Sequence, residues 1–187
     1  PVVKVEDDQL GQYAQLSKSL GKAGATLPDQ LIGELFNNGF TTALAYDGLA
    51  WFSDSHTVGL STIDNKGTAP LSTTSYATAY QALRGYKVQP DKDSAARPLN
   101  PGGKYLLVVP PQLEFTARQI CEAEYLTTDK ISNIYKGTAD VLVSSWLTSA
   151  TAWFLLNVGA GIKPIFMQER TKLQLLEKTP MSSDRAF

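Results

Sequence analysis

Residues 105–121, YLLVVPPQLEFTARQIC, place a strand and a helix next to each other with almost no linker. The five consecutive apolar residues at 105–109 are typical of a strand that is covered on both faces. The prolines at positions 110 and 111 end that strand and suit the first turn of a helix. Helical spacing then continues through Leu113, Ala117, Ile120, Cys121 and Glu124. The sequence therefore predicts a buried strand joined directly to an amphipathic helix.

A long amphipathic helix is predicted ahead of this unit, over Asp8–Asn38. Acidic residues at positions 6–8 suit a helix N-terminus, and Asn38-Gly39 suits a C-terminal stop. An apolar stripe keeps its phase across Pro28, so we expect one kinked helix of about 45 Å. We expect this stripe to be the buried face of the helix: Leu10, Tyr13, Leu16, Leu20, Leu27, Leu31 and Leu35.

The segment between the long helix and residue 105 is predicted to hold a hairpin and a second helix. The hairpin would pair Phe40–Asp47 with Leu49–Phe52 around an Asp-Gly turn. The helix would be capped by Ser72 or one of the two threonines after it, and would end at Gly85. The flanking stretches Ser53–Pro70 and Lys87–Gly103 are rich in turn-forming residues and are predicted to be loops.

The rest of the chain predicts a polar connector and four strands. The connector is Thr127–Lys136, and the strand candidates are Asp140–Trp146, Ala152–Val158, Lys163–Gln168 and Lys172–Glu177. Helices and strands do not alternate strictly along the chain, so a doubly wound or barrel fold is disfavoured. The order predicts a mixed α+β domain.

Composition and charge exclude several classes of protein. The 187 residues suit one domain, and the formal net charge is −1 with 17 basic and 18 acidic residues. A dedicated nucleic-acid-binding protein would carry a basic excess to neutralise phosphates. No apolar run approaches the roughly 20 residues of a membrane helix, so no membrane partner is expected. The single cysteine, Cys121, excludes an internal disulfide and is expected to be a small buried residue of a helix.

The one histidine, His56, is the best candidate for catalysis. Within Ser53-Asp54-Ser55-His56 it could serve as the base of a small hydrolase, with a serine nucleophile and an aspartate to orient the ring. Adjacent residues of one loop rarely adopt that geometry, however, and the G-x-S-x-G turn is absent. We therefore expect His56 to hold a loop by hydrogen bonds, and we keep the hydrolase as an alternative.

Other chemical motifs are incomplete. One histidine and one cysteine do not make a zinc site, and Asp91-Lys92-Asp93 lacks the glycine and glutamate of a calcium loop. Lys22 and Lys104 follow glycines without the rest of a phosphate loop, and Pro164 replaces the last glycine of a dinucleotide motif begun at Gly159. We expect no catalytic, metal or cofactor-binding residues and no cofactor. Three tryptophans, Trp51, Trp146 and Trp153, are expected in the core, or at subunit contacts.

Several phrases, in order along the chain, resemble one family. Tyr46–Ser53 followed by His56 resembles the "yDGkalFs..H" segment of Mu-like phage major head subunits. Tyr105–Glu114 with Ala117-Arg118 resembles a tailed-phage capsid phrase, a strand ending in P-P-x-L-E-x-x-A-R. Further matches are Phe40–Thr42, Pro98-Leu99, Asn133, Gly137, Asp140–Val143, Leu147, Ala152–Leu155 and Gln168–Arg170.

This resemblance implies the Hong Kong 97 type capsid fold, with Asp8–Asn38 as its spine helix and mixed, mostly antiparallel sheets. The shell domain would span residues 1–187. Its peripheral part would comprise approximately 1–90 and 165–187, and its axial part mainly 100–165. The N-terminal arm and extended loop of the family would be missing. Some relatives crosslink a lysine to an asparagine, but no such pair is identified in this sequence.

The function implied is structural. Copies would form pentamers and hexamers of an icosahedral phage or prophage head, which would enclose DNA without sequence-specific binding. Scaffold, portal and decoration proteins are the further partners expected, and the location would be the virion capsid, assembled in the bacterial host cytoplasm. Three alternatives stay open: an encapsulin-like compartment, a phage decoration protein and the hydrolase at His56.

Overall fold

A computed structural model describes residues 12–99, 102–126, 131–159 and 163–170. The chain divides into two units. Leu27–Phe166 forms the larger unit, and residues 12–26 and 167–170 belong to the smaller one. The sheets and both hydrophobic cores lie within Leu27–Phe166.

Helices and short strands are mixed along the chain. The helices are α1 (Gln12–Asn38), α2 (Thr73–Gly85), a 3-10 turn (Pro111–Leu113) and α3 (Glu114–Cys121). The strands are β1 (His56–Val58), β2 (Ser61–Ile63), β3 (Lys87–Val88), β4 (Arg97–Pro98), β5 (Tyr105–Val109), β6 (Ala139–Val143) and β7 (Phe154–Asn157). The pairs β1–β2 and β3–β4 are antiparallel. The third sheet has the order β6–β5–β7, with β6 parallel and β7 antiparallel to β5. The predicted α+β class with mostly antiparallel sheets is confirmed.

Strand β5 is covered on both faces, as its apolar run predicts. Tyr105, Leu107 and Val109 enter a core with side chains of α2 and α3, and Leu107 and Val109 are fully buried. Leu106 and Val108 face a second core built around Phe36 of α1 and Phe154 of β7. Full burial of one such aliphatic side chain contributes about 1.5–3 kcal/mol. The sheet therefore joins the helices on its two sides through one strand.

Helix α2 begins where the sequence indicates. The Ser72 hydroxyl accepts a hydrogen bond from the Ser75 backbone N–H at 3.1 Å, and the Ser75 hydroxyl accepts one from the Ser72 N–H at 2.9 Å. This capping box selects Ser72 from the three candidates, and it satisfies two N–H groups that have no partner inside the helix. The helix ends at Gly85, as predicted. On its buried side, the Tyr76 hydroxyl lies 2.8 Å from the Thr138 hydroxyl, and burial raises the pKa of Tyr76.

Helix α3 is shorter than predicted. Its spacing suggested a continuation to Glu124, but the helix ends at Cys121. The Asn133 amide Nδ2 donates to the carbonyls of Ile120 at 2.8 Å and Ala123 at 2.9 Å. Its Oδ1 accepts from the Tyr135 N–H at 2.9 Å. Carbonyls at a helix C-terminus lack partners inside the helix, and this buried side chain supplies them.

Helix α1 is continuous through Pro28, which confirms one helix instead of two. The predicted buried face is wrong. Leu16, Leu20, Leu27 and Leu31 are exposed, Leu35 is half-buried, and Leu10 lies outside the described residues. The buried positions are Gly33, Phe36 and Gly39, and Phe36 is about 140° around the helix from Leu31 at 100° per residue.

Close approach of another segment explains why a glycine, Gly33, lies on the packed face of α1. A Cβ on Gly33 would lie 2.4 Å from the Cβ of Trp146, so only glycine admits the tryptophan there. One turn later, the Asn37 amide donates to the Trp146 carbonyl at 2.9 Å and its Oδ1 accepts from the Thr148 N–H at 3.0 Å. The helix is thus fixed to the connection between β6 and β7 by shape and by hydrogen bonds.

Two predicted loops contain short strands. Ser53–Pro70 holds the hairpin β1–β2, and Lys87–Gly103 holds β3 and β4. Strands of two or three residues are too short for a periodic signal. The predicted hairpin over residues 40–52 is reduced to one bridge between Leu44 and Ala50. Residues 163–168 are described and are not a strand, while Lys172–Glu177 lies outside the described residues.

Two further expectations concern the connector and the membrane. In the described part of the connector, residues 131–136, the structure has turns and a single bridge between Tyr125 and Ser132. None of the described helices is both long and apolar enough to cross a membrane.

The contact at Gly33 gives a stability prediction. Replacing Gly33 with alanine forces Trp146 to move, and overpacking of this kind costs roughly 1–3 kcal/mol. Gly21→Ala is the matched control on the same helix, because a Cβ there meets nothing within 4 Å. Alanine should raise helix stability at Gly21 by up to about 1 kcal/mol. Thermal denaturation followed by circular dichroism measures both; equal melting temperatures would contradict the close packing at Gly33.

The cap at Asn133 gives a second stability prediction. Asn133→Asp keeps the shape but replaces the donating NH₂ with an oxygen that faces carbonyl oxygens. Loss of a buried hydrogen-bonding group costs about 1–3 kcal/mol, so urea unfolding should show a lower midpoint. Ser132→Ala, at the exposed preceding residue, is the control and should unfold like the wild type. An unchanged midpoint for Asn133→Asp would show that the cap adds no stability.

Candidate functional site

His56, the strongest candidate for chemistry, lies at the start of β1 and is 7% exposed. Its Nδ1 is 2.7 Å from Oδ2 of Asp47, and its Nε2 is 3.1 Å from the backbone carbonyl of Trp51. Asp47 and Trp51 belong to the turn that precedes the strand. Three residues of the phrase that resembles capsid proteins therefore meet at one place.

The partners of His56 determine what its ring can do. A carbonyl oxygen only accepts hydrogen bonds, so Nε2 must carry a hydrogen. The carboxylate of Asp47 likewise accepts from Nδ1. Both ring nitrogens thus face oxygen atoms that accept hydrogen bonds, and neither faces a hydroxyl from which it could remove a proton.

The predicted hydrolase constellation does not form around this ring. Asp47 contacts His56, whereas Asp54, the aspartate adjacent in sequence, is exposed. The hydroxyls of Ser53 and Ser55 lie 3.3 Å from each other. The aspartate that pairs with His56 is nine residues away and reaches the ring only because the turn folds back, which no local spacing indicates.

A fourth residue completes this cluster, which we call the His56 clip: Asp47, Trp51, His56 and Asn65. The Asn65 amide donates to the Trp51 carbonyl at 2.9 Å, and its Oδ1 accepts from the Ser53 N–H at 2.8 Å. The clip therefore ties residues 47–65 together through one shared carbonyl. The predicted loop-holding role of His56 agrees with this geometry.

Charge within the clip acts on Asp47. The hydrogen bond from His56 lowers the pKa of the Asp47 carboxyl most, burial opposes it, and the Leu49 N–H lowers the pKa further. The side chain of Asp47 is 14% exposed. A carboxyl with this environment is ionised at neutral pH and stabilises the folded chain as an anion.

The other candidates do not combine into a reactive centre. Cys121 is buried, and burial raises the pKa of its thiol, as for a structural cysteine. The Asp91 carboxylate accepts hydrogen bonds from the Asp93 N–H and the Ser94 hydroxyl, which makes it a turn residue. Among the described residues, no three His, Cys, Asp or Glu side chains are grouped to hold a metal ion.

The remaining motif residues do not form a binding site either. Lys104 forms an ion pair with Asp140 at 2.6 Å. Arg118 forms ion pairs with both Glu114 and Glu122, each at 2.9 Å. Lys22 is an exposed residue of α1. Gly159 is the last residue of the described range 131–159.

A groove of about 750 Å³ lies beside α2. The segment 64–70 and residues 151–155 form its other walls, and small side chains such as Ala79 and Ala82 line much of it. Its charged lining residues, among those described, are Asp64 and Lys66. Across the groove lining, the Trp153 indole N–H donates a hydrogen bond to the Ala69 carbonyl at 3.0 Å. The described lining provides a concave surface without a histidine or a pair of carboxylates that could act as acid and base.

Exposed apolar side chains are the more prominent feature of the surface. Phe115 on α3 is 80% exposed and Ile134 is 77% exposed. Leu142 of β6 and Trp146 beyond it are 47% and 43% exposed. Such residues are enriched where protein surfaces meet, so the candidate functional site of this molecule is a set of contact surfaces.

The ionised Asp47 gives a pH prediction. Its folded-state pKa is lower than the value of about 3.9 for an unfolded chain, so its stabilisation is full above that value and is lost as the pH falls through the folded-state pKa. Between pH 5 and pH 3 (about one unit either side of that value), the free energy of unfolding should fall less for Asp47→Asn than for the wild type. Urea unfolding at each pH measures this. Asp54→Asn, at an exposed carboxylate, is the control and should keep the wild-type slope; equal slopes for all three chains would contradict the role of Asp47.

Comparison with curated proteins agrees with this picture. The major capsid protein of Escherichia phage Mu is 41% identical over 64 residues, which are 34% of this chain and 20% of the phage protein. The Mu-like prophage FluMu major head subunit of Haemophilus influenzae is 40% identical over 55 residues, 29% of this chain and 18% of that protein. The aligned part of the chain thus spans about a fifth of the length of these relatives.

Solved structures show the same fold. The capsid of bacteriophage JBD30 decorated with minor capsid protein trimers matches with a TM-score of 0.62 and 20% identity. That match covers 78% of this chain and 70% of the JBD30 chain. A second JBD30 capsid structure matches with a TM-score of 0.60 and 19% identity, over 76% of this chain and 70% of that one.

The expected Hong Kong 97-like capsid fold is therefore confirmed by structures of phage capsids. A family model described as "Phage capsid protein" matches residues 3–177, which is nearly the whole chain. The chain belongs to the phage capsid protein family.

Proposed function

We propose that this chain is the shell-forming part of a major capsid subunit, whose copies assemble into pentamers and hexamers around packaged DNA. The observation that carries the proposal is the family match over residues 3–177. The fold shared with JBD30 capsid chains and the local identity to the Mu major capsid protein support it. The alternative of an encapsulin-like compartment has no comparable support.

The physical requirements of a shell subunit fit the molecule. Heterologous contacts, in which two different surfaces of identical copies meet, close into rings when the rotation between copies is right. Such contacts need exposed apolar side chains on ordered elements. Phe115, Ile134, Leu142 and Trp146 meet that need. Contact energies of a few kcal/mol per interface are enough when many identical interfaces form in one particle.

The charge of the chain supports enclosure of DNA without sequence readout. The formal net charge is −1, so the chain lacks the cationic excess that strong phosphate binding requires. A container that binds its contents weakly does not oppose packaging or release. Contacts to DNA would then depend on geometry instead of base recognition.

The role is structural and not catalytic. His56 has both ring nitrogens in hydrogen bonds with acceptors, and Cys121 is buried. The subdomain assignment belongs to the same proposal: approximately residues 1–90 and 165–187 form the peripheral part, and mainly 100–165 form the axial part. Scaffold, portal and decoration proteins are the further partners we propose. Assembly would take place in the bacterial cytoplasm and place the chain in the virion capsid.

Electron microscopy tests this function directly. The chain is expressed alone and together with the neighbouring phage genes, and both preparations are examined by negative stain. We expect closed shells, or rings of five and six copies, in at least the second preparation. Monomers that persist in both would contradict the proposal.

A matched variant separates assembly from the hydrolase alternative. Ser55→Ala removes the hydroxyl nearest in sequence to His56 while the clip residues stay unchanged. We expect particles in the same yield as for the wild type. An ester-hydrolysing activity that is present in the wild type and lost in Ser55→Ala would support the hydrolase instead.

A further inference from the structure

Strand β6 forms one edge of the three-stranded sheet. Its order, β6–β5–β7, leaves β6 with a single neighbour, and β5 is the one strand paired with it among residues 12–99, 102–126, 131–159 and 163–170. The opposite edge differs, because β7 lies beside α2 and Trp153 is bonded to the Ala69 carbonyl. An edge strand keeps backbone N–H and C=O groups that can pair with another chain.

One face of β6 is also uncovered. The register aligns Leu142 of β6 with Val108 of β5 and Phe154 of β7 in one row across the sheet. Val108 is 2% exposed and Phe154 is 5% exposed beneath the aromatic cluster around Phe36, whereas Leu142 is 47% exposed. The aromatic cluster therefore covers this face of the sheet at β7 and β5 but not at β6, where the apolar side chain of Leu142 is exposed.

Strand β6 lacks three of the features that protect free edges: proline, lysine and a β-bulge. Its sequence ADVLV contains no proline and no lysine, and its five residues pair with β5 in unbroken register, without a bulge. Three residues after the strand, Trp146 is half-exposed and is held in place by Gly33 and Asn37 of α1. A rigid, partly exposed tryptophan is typical of the energetic centre of an interface.

Charge indicates which occupant fits. Asp140, the charged residue of the strand, is neutralised by Lys104 at 2.6 Å. The strand itself, ADVLV, contains no lysine or arginine that would attract nucleic acid, and its one acidic side chain already has a basic partner. A second copy of this chain, with a formal net charge of −1, approaches such a surface with little repulsion.

We propose that the β6 surface, defined as Asp140, Leu142, Trp146 and the free edge of the strand, is a contact between neighbouring copies of this chain. The inference rests on the proposed function, because it assumes that copies assemble. It adds the place of contact and its nature: apolar side chains on an open strand edge. In a heterologous ring, each copy presents its β6 surface to a different surface of the next copy.

The test combines a variant with hydrogen exchange. Leu142→Lys places a charge on the exposed side of the strand, so the subunit should fold with a melting temperature close to that of the wild type. Particle yield should fall by roughly tenfold or more, because the charge would have to be buried in the contact. In wild-type shells made from this chain alone, amide exchange over residues 139–143 should be slowed by roughly tenfold or more relative to unassembled subunits.

Leu60→Lys is the matched control, at a leucine that is 56% exposed in the turn between β1 and β2. It should assemble like the wild type. Normal particles from Leu142→Lys, an equal loss in both variants, or unchanged exchange over residues 139–143 in shells would each overturn the inference while leaving the proposed function intact. Protection of β6 only after other phage proteins are added would assign the surface to a different protein. Absence of particles from the wild type would contradict the proposed function, and the inference with it.

Discussion

The double-sided burial of β5 is the constraint on which the other contacts depend. A strand of five apolar residues needs cover on both faces, and this chain provides α2 and α3 on one side and the end of α1 on the other. On the α1 side the cover is aromatic. The centroid of the Phe154 ring lies 4.5 Å from that of Phe36 and 5.0 Å from that of Phe52. Aromatic pairs of this kind contribute about 0.5–1.5 kcal/mol beyond burial of their area, so the position of α1 is strongly determined.

Local sequence predicts those parts of the fold that local chemistry decides. The apolar run of β5, the serine cap of α2 and the prolines before α3 each act within a few residues, and each prediction agrees with the structure. The prediction for the buried face of α1 is wrong because periodicity identifies an apolar stripe without identifying its partner. Gly33 and Phe36 form the packed face because Trp146, more than a hundred residues away, fits against a glycine. No pattern within the helix carries that information.

The same difference between local and long-range interactions decides what could be predicted of the candidate site. Residue types and spacing are enough to judge that the metal and phosphate motifs are incomplete, and the expectation that no such site exists stays a prediction. The partner of His56 could not be predicted. Asp54 is two residues from the histidine but exposed, while Asp47 reaches it because the chain reverses at Gly48, where φ is +79°. A search for catalytic residue types at short spacing does not detect a pair that a chain reversal brings together. Asp47 and His56 were identified instead by the resemblance to capsid proteins.

The stability of the fold and the proposed association depend on different residues of this chain. The residues that hold the molecule together, such as Leu107 and Phe36, are buried, whereas Leu142 and Phe115 remain exposed. Under the proposed function, a substitution at the second group would change association with little effect on folding, and a substitution at the first group would lower the stability of the fold. This separation is what the proposed shell subunit requires, because such a subunit folds before it contacts other copies. Exposed apolar side chains lower solubility in a free monomer, and they are tolerated where assembly covers them.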